Sequence, residues 1–339
     1  MFEKKLVQNN AAEKPKKIIE VFSEREKYIP EVGEQLENKR SMDIEINGEK
    51  LSIDYRELSV AEKENRDGDP VVLLPGFGSG WEGIAELGFS LACEGRRVIL
   101  LSLPGYGNSS DPSQEYYKND HFEHEAQVVQ QVIDRVLQGK KAHVIGHSMG
   151  SEVMASVAEK YPKNVSSLTL LNPAGVNKEE SPIKLATTFL ASGAHATMEY
   201  NARMFFAGEK DYETGLYAHI DRPKSPFDKE RIGQRLAEAE KLTHGHLVKK
   251  LNNISAPITY VSGEFDTVYP SGTIDDESSQ LHRIVQSVQD SSKIEKSVMA
   301  RLRHNTTLAP DEITAANIDH YLTVAEQKNE KERKNDGLT

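Results

Sequence analysis

The chain has 339 residues, of which 37% are hydrophobic and 28% charged, and a formal net charge of −11. This acidic balance argues against a nucleic-acid binder, which needs a basic face, and disfavours docking on an anionic membrane surface. The single cysteine, Cys93, excludes an intrachain disulfide and a cysteine-rich metal site. The first ten residues lack a signal-like apolar stretch, and no run reaches the roughly 18 apolar residues that span a bilayer. We expect a soluble, cytoplasmic protein.

Residues 1–40 are polar and charged, with apolar residues at helical spacing. Pro15 suits the start of a helix, and we expect Pro30 to end or kink one. The segment is predicted to be a helical extension that docks its apolar face on the main domain. A partner contact, including a homodimer, through the same face stays open.

From Met42 the pattern becomes that of strands. Apolar and polar residues alternate on both sides of Asn47-Gly48, which indicates a β-hairpin. Short, continuous apolar runs follow, which are typical of buried parallel strands. Helical patterns at about 80–94, 120–138 and 149–161 separate the runs, which predicts βαβ units and an α/β fold with a sheet covered on both faces. The apolar runs lie at 71–74, 98–101, 142–145, 168–171, which follows Val165, and 258–261.

Residues 177–250 interrupt this alternation. They lack a strand-like run and are rich in helix formers, so we expect a helical cap inserted over the sheet. The core domain would then comprise residues 41–176 and 251–327. A loop and helix are expected near 271–292, and the polar tail 328–339 is expected to be disordered.

The chemistry centres on the motif Gly146-His147-Ser148-Met149-Gly150, which follows a predicted strand and precedes a predicted helix. In that context, G-x-S-x-G places the serine on a very tight strand-to-helix turn. The small residues two positions before and after the serine let strand and helix approach each other. The hydroxyl then projects at the start of a helix whose dipole favours developing negative charge. Ser148 is therefore predicted to be a nucleophile.

Five pieces of the sequence, in this order and spacing, resemble the α/β-hydrolase superfamily, in particular its capped serine esterase and lipase-like branch. They are L-L-P-G-F-G-S-G-W, L-S-L-P-G-Y-G-N-S, G-H-S-M-G, G-E-F-D and the late His304. The resemblance covers about residues 42–327. It implies a mostly parallel, doubly wound sheet of eight strands with a helical cap. It also implies a catalytic triad in the chain order serine, acid, histidine, with no metal or organic cofactor.

The resemblance implies that the acid follows a late strand, where Asp266 stands. Glu264 is its close neighbour, and Asp275 and Asp276 are loop alternatives. In some members of the family the acid follows the preceding strand, but here that strand ends in Asn172-Pro173, without a carboxylate.

Three histidines follow Asp266, namely His282, His304 and His320. Two of them fall in helical patterns. His304 lies between the predicted last strand and the final helix, where the family carries its base. His304 is therefore the expected base.

The oxyanion formed during acyl transfer needs two backbone donors. The resemblance implies the N–H groups of Met149 and of Phe77, although Pro75 stands where the family commonly has a histidine. The substrate pocket is expected to include Trp81, Phe189 and Phe205. No metal is expected, because His244-Gly245-His246 lacks a third ligand at a suitable spacing.

The predicted function is that of a serine hydrolase that cleaves small-molecule carboxylic esters through an acyl-enzyme. Ser148 argues against dehalogenase and epoxide hydrolase activities, which use an aspartate at this position in this fold. Cleavage of C–C bonds, thioesters or lactones by the same triad stays open. So does a ligand-binding, receptor-like role with slow hydrolysis.

Overall fold

The structure is a computed structural model. It describes residues 25–63, 68–118, 121–176, 216–220, 231–242, 246–263, 272, 276–277, 279–288, 294–299 and 312–335.

The described chain forms one sheet of eight strands. They are β1 Arg40–Ile46, β2 Glu49–Leu58, β3 Val71–Leu74, β4 Val98–Leu101, β5 Ala142–His147, β6 Val165–Leu171, β7 Ile258–Gly263 and β8 Ile294–Met299. Their order across the sheet is β1-β2-β4-β3-β5-β6-β7-β8. β2 is antiparallel to both of its neighbours, and all other pairs are parallel. The predicted fold class, a mostly parallel eight-stranded α/β sheet, is confirmed.

The predicted hairpin joins β1 to β2. Asn47 and Gly48 both have positive φ, 50° and 84°, as the tight turn between two antiparallel strands requires. The pairing begins at Ile46 and Glu49, directly on either side of this turn. The alternation of buried and exposed residues along β1 reflects a strand at the edge of the sheet, with one face in the core.

Helices cover both faces of the sheet, as the alternating pattern predicted. The helices near residues 80–94, 120–138 and 149–161 are confirmed, as is the one near 271–292. No helix of the described ranges is long and apolar enough to cross a membrane. The helices are α1 Ile29–Glu37, α2 Ala85–Cys93, α3 Gln114–Lys118, α4 His121–Val136, α5 Met149–Lys160, α6 Ile232–Leu242, α7 His246–Leu251, α8 Gln280–Ser287 and α9 Glu312–Asn335.

The central strands are buried on both faces, which explains their continuous apolar runs. Every residue of β3 is buried, yet alternate side chains enter different cores. Val72 and Leu74 join the core that contains α4 and α5. Val71 and Leu73 join the core that contains α1, α2 and α9. The sheet is thus the middle layer of three.

Helix α1 belongs to the N-terminal segment. Its apolar face is buried through Val32 and Leu36, as predicted for an extension that docks on the main domain. The Nε of the buried Arg56, on β2, donates to the carbonyl of Leu36, 2.6 Å away, near the helix end. Residues 25 and 26 are helical and residues 27 and 28 form a turn, so a helical stretch ends just before Pro30, in agreement with the prediction. Pro30 itself lies in the first turn of α1, where a missing N–H costs no helical hydrogen bond.

The prediction of a disordered tail was wrong for residues 328–335. Helix α9 continues to Asn335 instead of becoming disordered. Asn329 donates its side-chain N–H to the carbonyl of Ser166, 2.9 Å away, at the start of β6. Glu330 and Lys334 pair one turn apart on the exposed side. The predicted boundaries of the extension and of the cap stay predictions.

Helix α9 is anchored to the sheet by a charged cluster. Glu326 accepts hydrogen bonds from the buried Arg96 at 2.5 Å and lies 3.0 Å from Nε2 of the buried His143. Arg96 also donates to Asp319 on the same helix. His143 contacts the Ser167 hydroxyl through its other ring nitrogen. Burial alone would raise the pKa of Glu326, but the hydrogen bonds from His143 and Arg96 outweigh it and lower the pKa to about 2.

We predict that Glu326→Gln lowers the free energy of unfolding by about 1–3 kcal/mol at pH 7, because it removes a charge-assisted acceptor from Arg96 and His143. The folded pKa is depressed, so this stabilisation is complete above the ordinary value of 4.5 and is lost as the pH falls towards 2. Urea unfolding at pH 7 and pH 4 is the measurement. The difference in the free energy of unfolding between wild type and Glu326→Gln should be smaller at pH 4 than at pH 7. The control is Glu330→Gln on the exposed side. Equal stability of wild type and Glu326→Gln at pH 7 would contradict the prediction.

Candidate active site

Ser148 stands between the last residue of β5 and the first residue of α5. Its backbone has φ 51° and ψ −117°, so a non-glycine residue occupies the positive-φ region. The residue is fully buried. The predicted tight strand-to-helix turn is therefore present.

The end of β6 holds the backbone of Ser148 in place. The Ser148 N–H donates to the carbonyl of Leu171, 2.9 Å away. The Ser148 carbonyl accepts from the N–H groups of Ser151, at 3.0 Å, and Ala174, at 3.1 Å. An unfavourable backbone conformation persists only where the surroundings enforce it, and these bonds supply that constraint.

The two glycines of the motif are required by close packing. A Cβ on Gly146 would lie 2.2 Å from the carbonyl oxygen of Gly150. A Cβ on Gly150 would lie 2.5 Å from the carbonyl oxygen of Pro75 and 2.7 Å from that of Leu74. These neighbours are backbone atoms and cannot rotate away. The motif therefore lets β5, α5 and the end of β3 meet at one point.

The loop after β3 lies directly against the serine. A Cβ on Gly76 would be 2.9 Å from the Cβ of Ser148 and 3.1 Å from Nδ1 of His147. Phe77 follows in this loop and packs, half-buried, on the core that contains α5. Met149 begins α5, and the first N–H groups of a helix have no acceptor within the helix. Met149 thus directly follows Ser148, and Phe77 directly follows Gly76, the residue that packs against the serine.

Several predicted site residues lie outside the described residues, namely Asp266, His304, Phe189 and Phe205. So do two competitors for the acid, Glu264 and Asp275, and the first two residues of the His244-Gly245-His246 fragment, whose His246 begins α7. His282 lies in α8 and His320 in α9, as their helical patterns predicted.

The strands that precede the predicted acid and base are described. β7 ends at Gly263, before Asp266 in the chain, and β8 ends at Met299, before His304. Both run parallel to β5 in the same sheet. The carboxyl ends of these strands therefore share the sheet edge at which Ser148 stands.

Trp81, predicted for the substrate pocket, is a buried residue with structural partners. Its indole N–H donates to Oδ2 of Asp54 at 2.9 Å, and its backbone N–H donates to the hydroxyl of Ser102. The guanidinium of Arg56 lies over the ring, 4.5 Å from its centre, and pairs with Asp54. These contacts join β2, β4 and the loop after β3. A pocket role for Trp81 stays a prediction.

Asn172 is a residue whose role sequence reasoning missed, because it was considered only as evidence that no carboxylate ends β6. It is fully buried with φ 44°, and its side-chain oxygen accepts from the N–H of Gly263 at 2.8 Å. The signal was available in the sequence, since an Asn-Pro pair after a buried strand marks a turn.

Other reactive groups of the described chain do not form a second centre. No three His, Cys, Asp or Glu side chains within the described ranges are grouped so that they could hold a metal ion. Burial raises the pKa of the Cys93 thiol to about 12, so the thiol stays protonated at neutral pH.

A sequence profile of the alpha/beta hydrolase fold matches residues 69–290. The chain belongs to this family. The matched range contains Ser148, the loop after β3 and Asp266, whereas His304 lies beyond it.

Relatives of this alpha/beta hydrolase include two bacterial lipases. The chain is 32% identical to Lipase 1 of Psychrobacter immobilis and 30% identical to Lipase 3 of Moraxella sp. (strain TA144), in each case over 216 residues. Each match covers 61% of this chain and 62% of the relative, which is less than two thirds of the relative's length. Among solved structures, a thermophilic esterase from Thermogutta terrifontis aligns with a TM-score of 0.57 at 17% identity, over 85% of this chain and 99% of the esterase. At that identity the likeness shows the fold alone.

We predict that Gly150→Ala destabilises the fold by about 1–3 kcal/mol, since its new methyl group would overlap the carbonyls of Leu74 and Pro75. Thermal and urea unfolding measure the loss. Gly83→Ala is the comparison, because there the methyl group meets the side chain of Ser79, which can rotate. Equal stability of Gly150→Ala and wild type would show that the strand and helix are not in the contact described.

Proposed function

We propose that this alpha/beta hydrolase is a serine hydrolase of carboxylic esters, with Ser148 as nucleophile, His304 as base and Asp266 as the acid that orients the base. The observation that carries the proposal is the positive-φ turn at Ser148, with the Gly76 loop packed against the serine. Such a strained turn at the end of a central strand is the setting in which a serine acts as nucleophile in this fold.

In the proposed mechanism, His304 takes the proton of the Ser148 hydroxyl as Oγ attacks the acyl carbon. The carbonyl oxygen becomes an oxyanion, which the N–H groups of Met149 and Phe77 stabilise. Collapse breaks the bond to the alkoxy group, and His304 gives its proton to the departing alcohol. A water molecule, deprotonated by His304, then attacks the acyl-enzyme and releases the acid and the serine.

The helix supports this chemistry electrostatically. The N-terminus of α5 starts at Met149, directly after the nucleophile, and the partial positive charge of a helix N-terminus favours an oxyanion there. The turn is held by backbone bonds to Leu171 and Ala174, so the donors require little rearrangement when the charge develops.

The proposal of an ester substrate is supported by the relatives and by the proposed pocket residues, rather than by the geometry at Ser148. The two lipase relatives favour an ester substrate, and the hydrophobic residues proposed for the pocket, Trp81, Phe189 and Phe205, favour an apolar acyl group. A match over less than two thirds of the lipases does not extend to their particular substrates.

We expect wild type to hydrolyse p-nitrophenyl esters in a series from acetyl to dodecanoyl, and Ser148→Ala to lose at least about a thousandfold in kcat. The chain-length optimum would give the size of the acyl pocket. Ser41→Ala, on the exposed edge of β1, is the matched control and should retain full activity. A folded wild type that binds these esters without hydrolysing them would contradict the proposal and favour a ligand-binding role.

The acid and the base are tested by comparing matched variants. Asp266→Asn and His304→Gln should each lower kcat by about 10³–10⁴-fold, because the base is then lost or held in the wrong tautomer. Glu264→Gln, His282→Gln and His320→Gln change the competing residues and should keep kcat within about threefold of wild type. Steady-state kinetics on one short ester measure all five. A large loss in a competitor, with activity retained in Asp266→Asn or His304→Gln, would reassign that role.

A further inference from the structure

We infer that Asn172 is a positioning residue, whose side chain fixes the end of β7 relative to the turn that carries Ser148. The inference rests on the proposed function, because the acid, Asp266, follows the end of β7 in the chain.

The side chain of Asn172 continues the hydrogen-bond ladder between β6 and β7 beyond the end of β6. The N–H of Asn172 donates to the carbonyl of Val261 at 2.8 Å, as in a regular parallel ladder. The next regular bond would join the N–H of Gly263 to the backbone carbonyl of residue 172. Asn172 instead has φ 44°, and its side-chain Oδ1 accepts from Gly263 at 2.8 Å. The side-chain oxygen thus replaces a backbone acceptor where the strand turns away.

The same short segment holds the nucleophile. Leu171 accepts the N–H of Ser148, and Ala174 donates to the Ser148 carbonyl. Asn172 lies between these two residues, is fully buried, and ties the segment to Gly263. The segment 171–174 therefore bonds both to Ser148 and to Gly263, and so fixes the end of β7 relative to the serine.

A second buried connection ties β7 to this segment. The hydroxyl of Tyr260, on β7, donates to the side-chain oxygen of Gln280 at 3.1 Å. The side-chain N–H of Gln280 donates to the carbonyl of Pro173 at 2.6 Å. All of these groups are buried, so no water replaces the bonds without cost. We expect this second connection to hold β7 against the segment, and so to preserve the fold, when Asn172 is changed.

Such positioning has a catalytic consequence that packing alone does not have. A displacement of about 1 Å in a reacting group can cost about a hundredfold in rate. Loss of the Asn172 oxygen leaves the Gly263 N–H without its acceptor at the point where the chain leaves β7. A displaced Asp266 would orient His304 less well, and its carboxylate would raise the pKa of His304 less.

The decisive variant is Asn172→Gly, which tolerates positive φ but removes the acceptor. We expect its kcat, per site titrated with a phosphonate, to fall by at least about tenfold while KM stays within about twofold. The acid limb of its kcat/KM profile should move to lower pH. The control Asn47→Gly changes another positive-φ asparagine, which bonds His124 through its side chain, and should leave kcat unchanged.

A folded Asn172→Gly with unchanged kcat per titrated site and an unchanged pH profile would overturn the inference and leave the proposed function intact. Wild type without Ser148-dependent hydrolysis would overturn the proposed function and this inference together.

Discussion

The positive-φ turn at Ser148 is the constraint on which the architecture around the site depends. A non-glycine residue in such a sparsely populated region of backbone space costs about 1–3 kcal/mol, and the neighbouring residues have to enforce it. Leu171 and Ala174 bond both backbone groups of the serine, while Gly146 and Gly150 remove the side chains that would keep strand and helix apart. A substitution at any of these positions therefore changes the conformation of the turn, and affects catalysis only through that change.

The sheet provides the rigid support for this turn. β5 lies in the interior of the sheet, with β3 on one side and β6 on the other, and two separate apolar cores cover its faces. The ends of β3 and β6 supply the neighbours of the serine, namely the Gly76 loop and the Asn172 segment. Elements that are remote in sequence thus converge at one edge, as parallel strands require.

Much of this fold could be predicted from local patterns. The apolar runs of the buried strands, the Asn47-Gly48 turn and the motif around Ser148 each carry their structure within a few residues. The errors concern tertiary contacts. Helix α9 extends beyond residue 328 because Glu326 accepts from Arg96 and Asn329 donates to Ser166, and both partners lie far away in sequence. Trp81 and Asn172 show the same limit, since their partners belong to other strands and become visible only in the folded chain.

The most direct measurement is to treat the protein with a fluorophosphonate ester and locate the adduct by tandem mass spectrometry of its peptides. A serine activated by a neighbouring base attacks the phosphorus and expels fluoride, whereas an ordinary serine is a weak nucleophile, so the position of a single stoichiometric adduct identifies the nucleophile. The proposed site predicts one adduct per chain, on Ser148, with ester hydrolysis falling in proportion to labelling. An adduct on another residue, or complete inactivation without modification of Ser148, would contradict it.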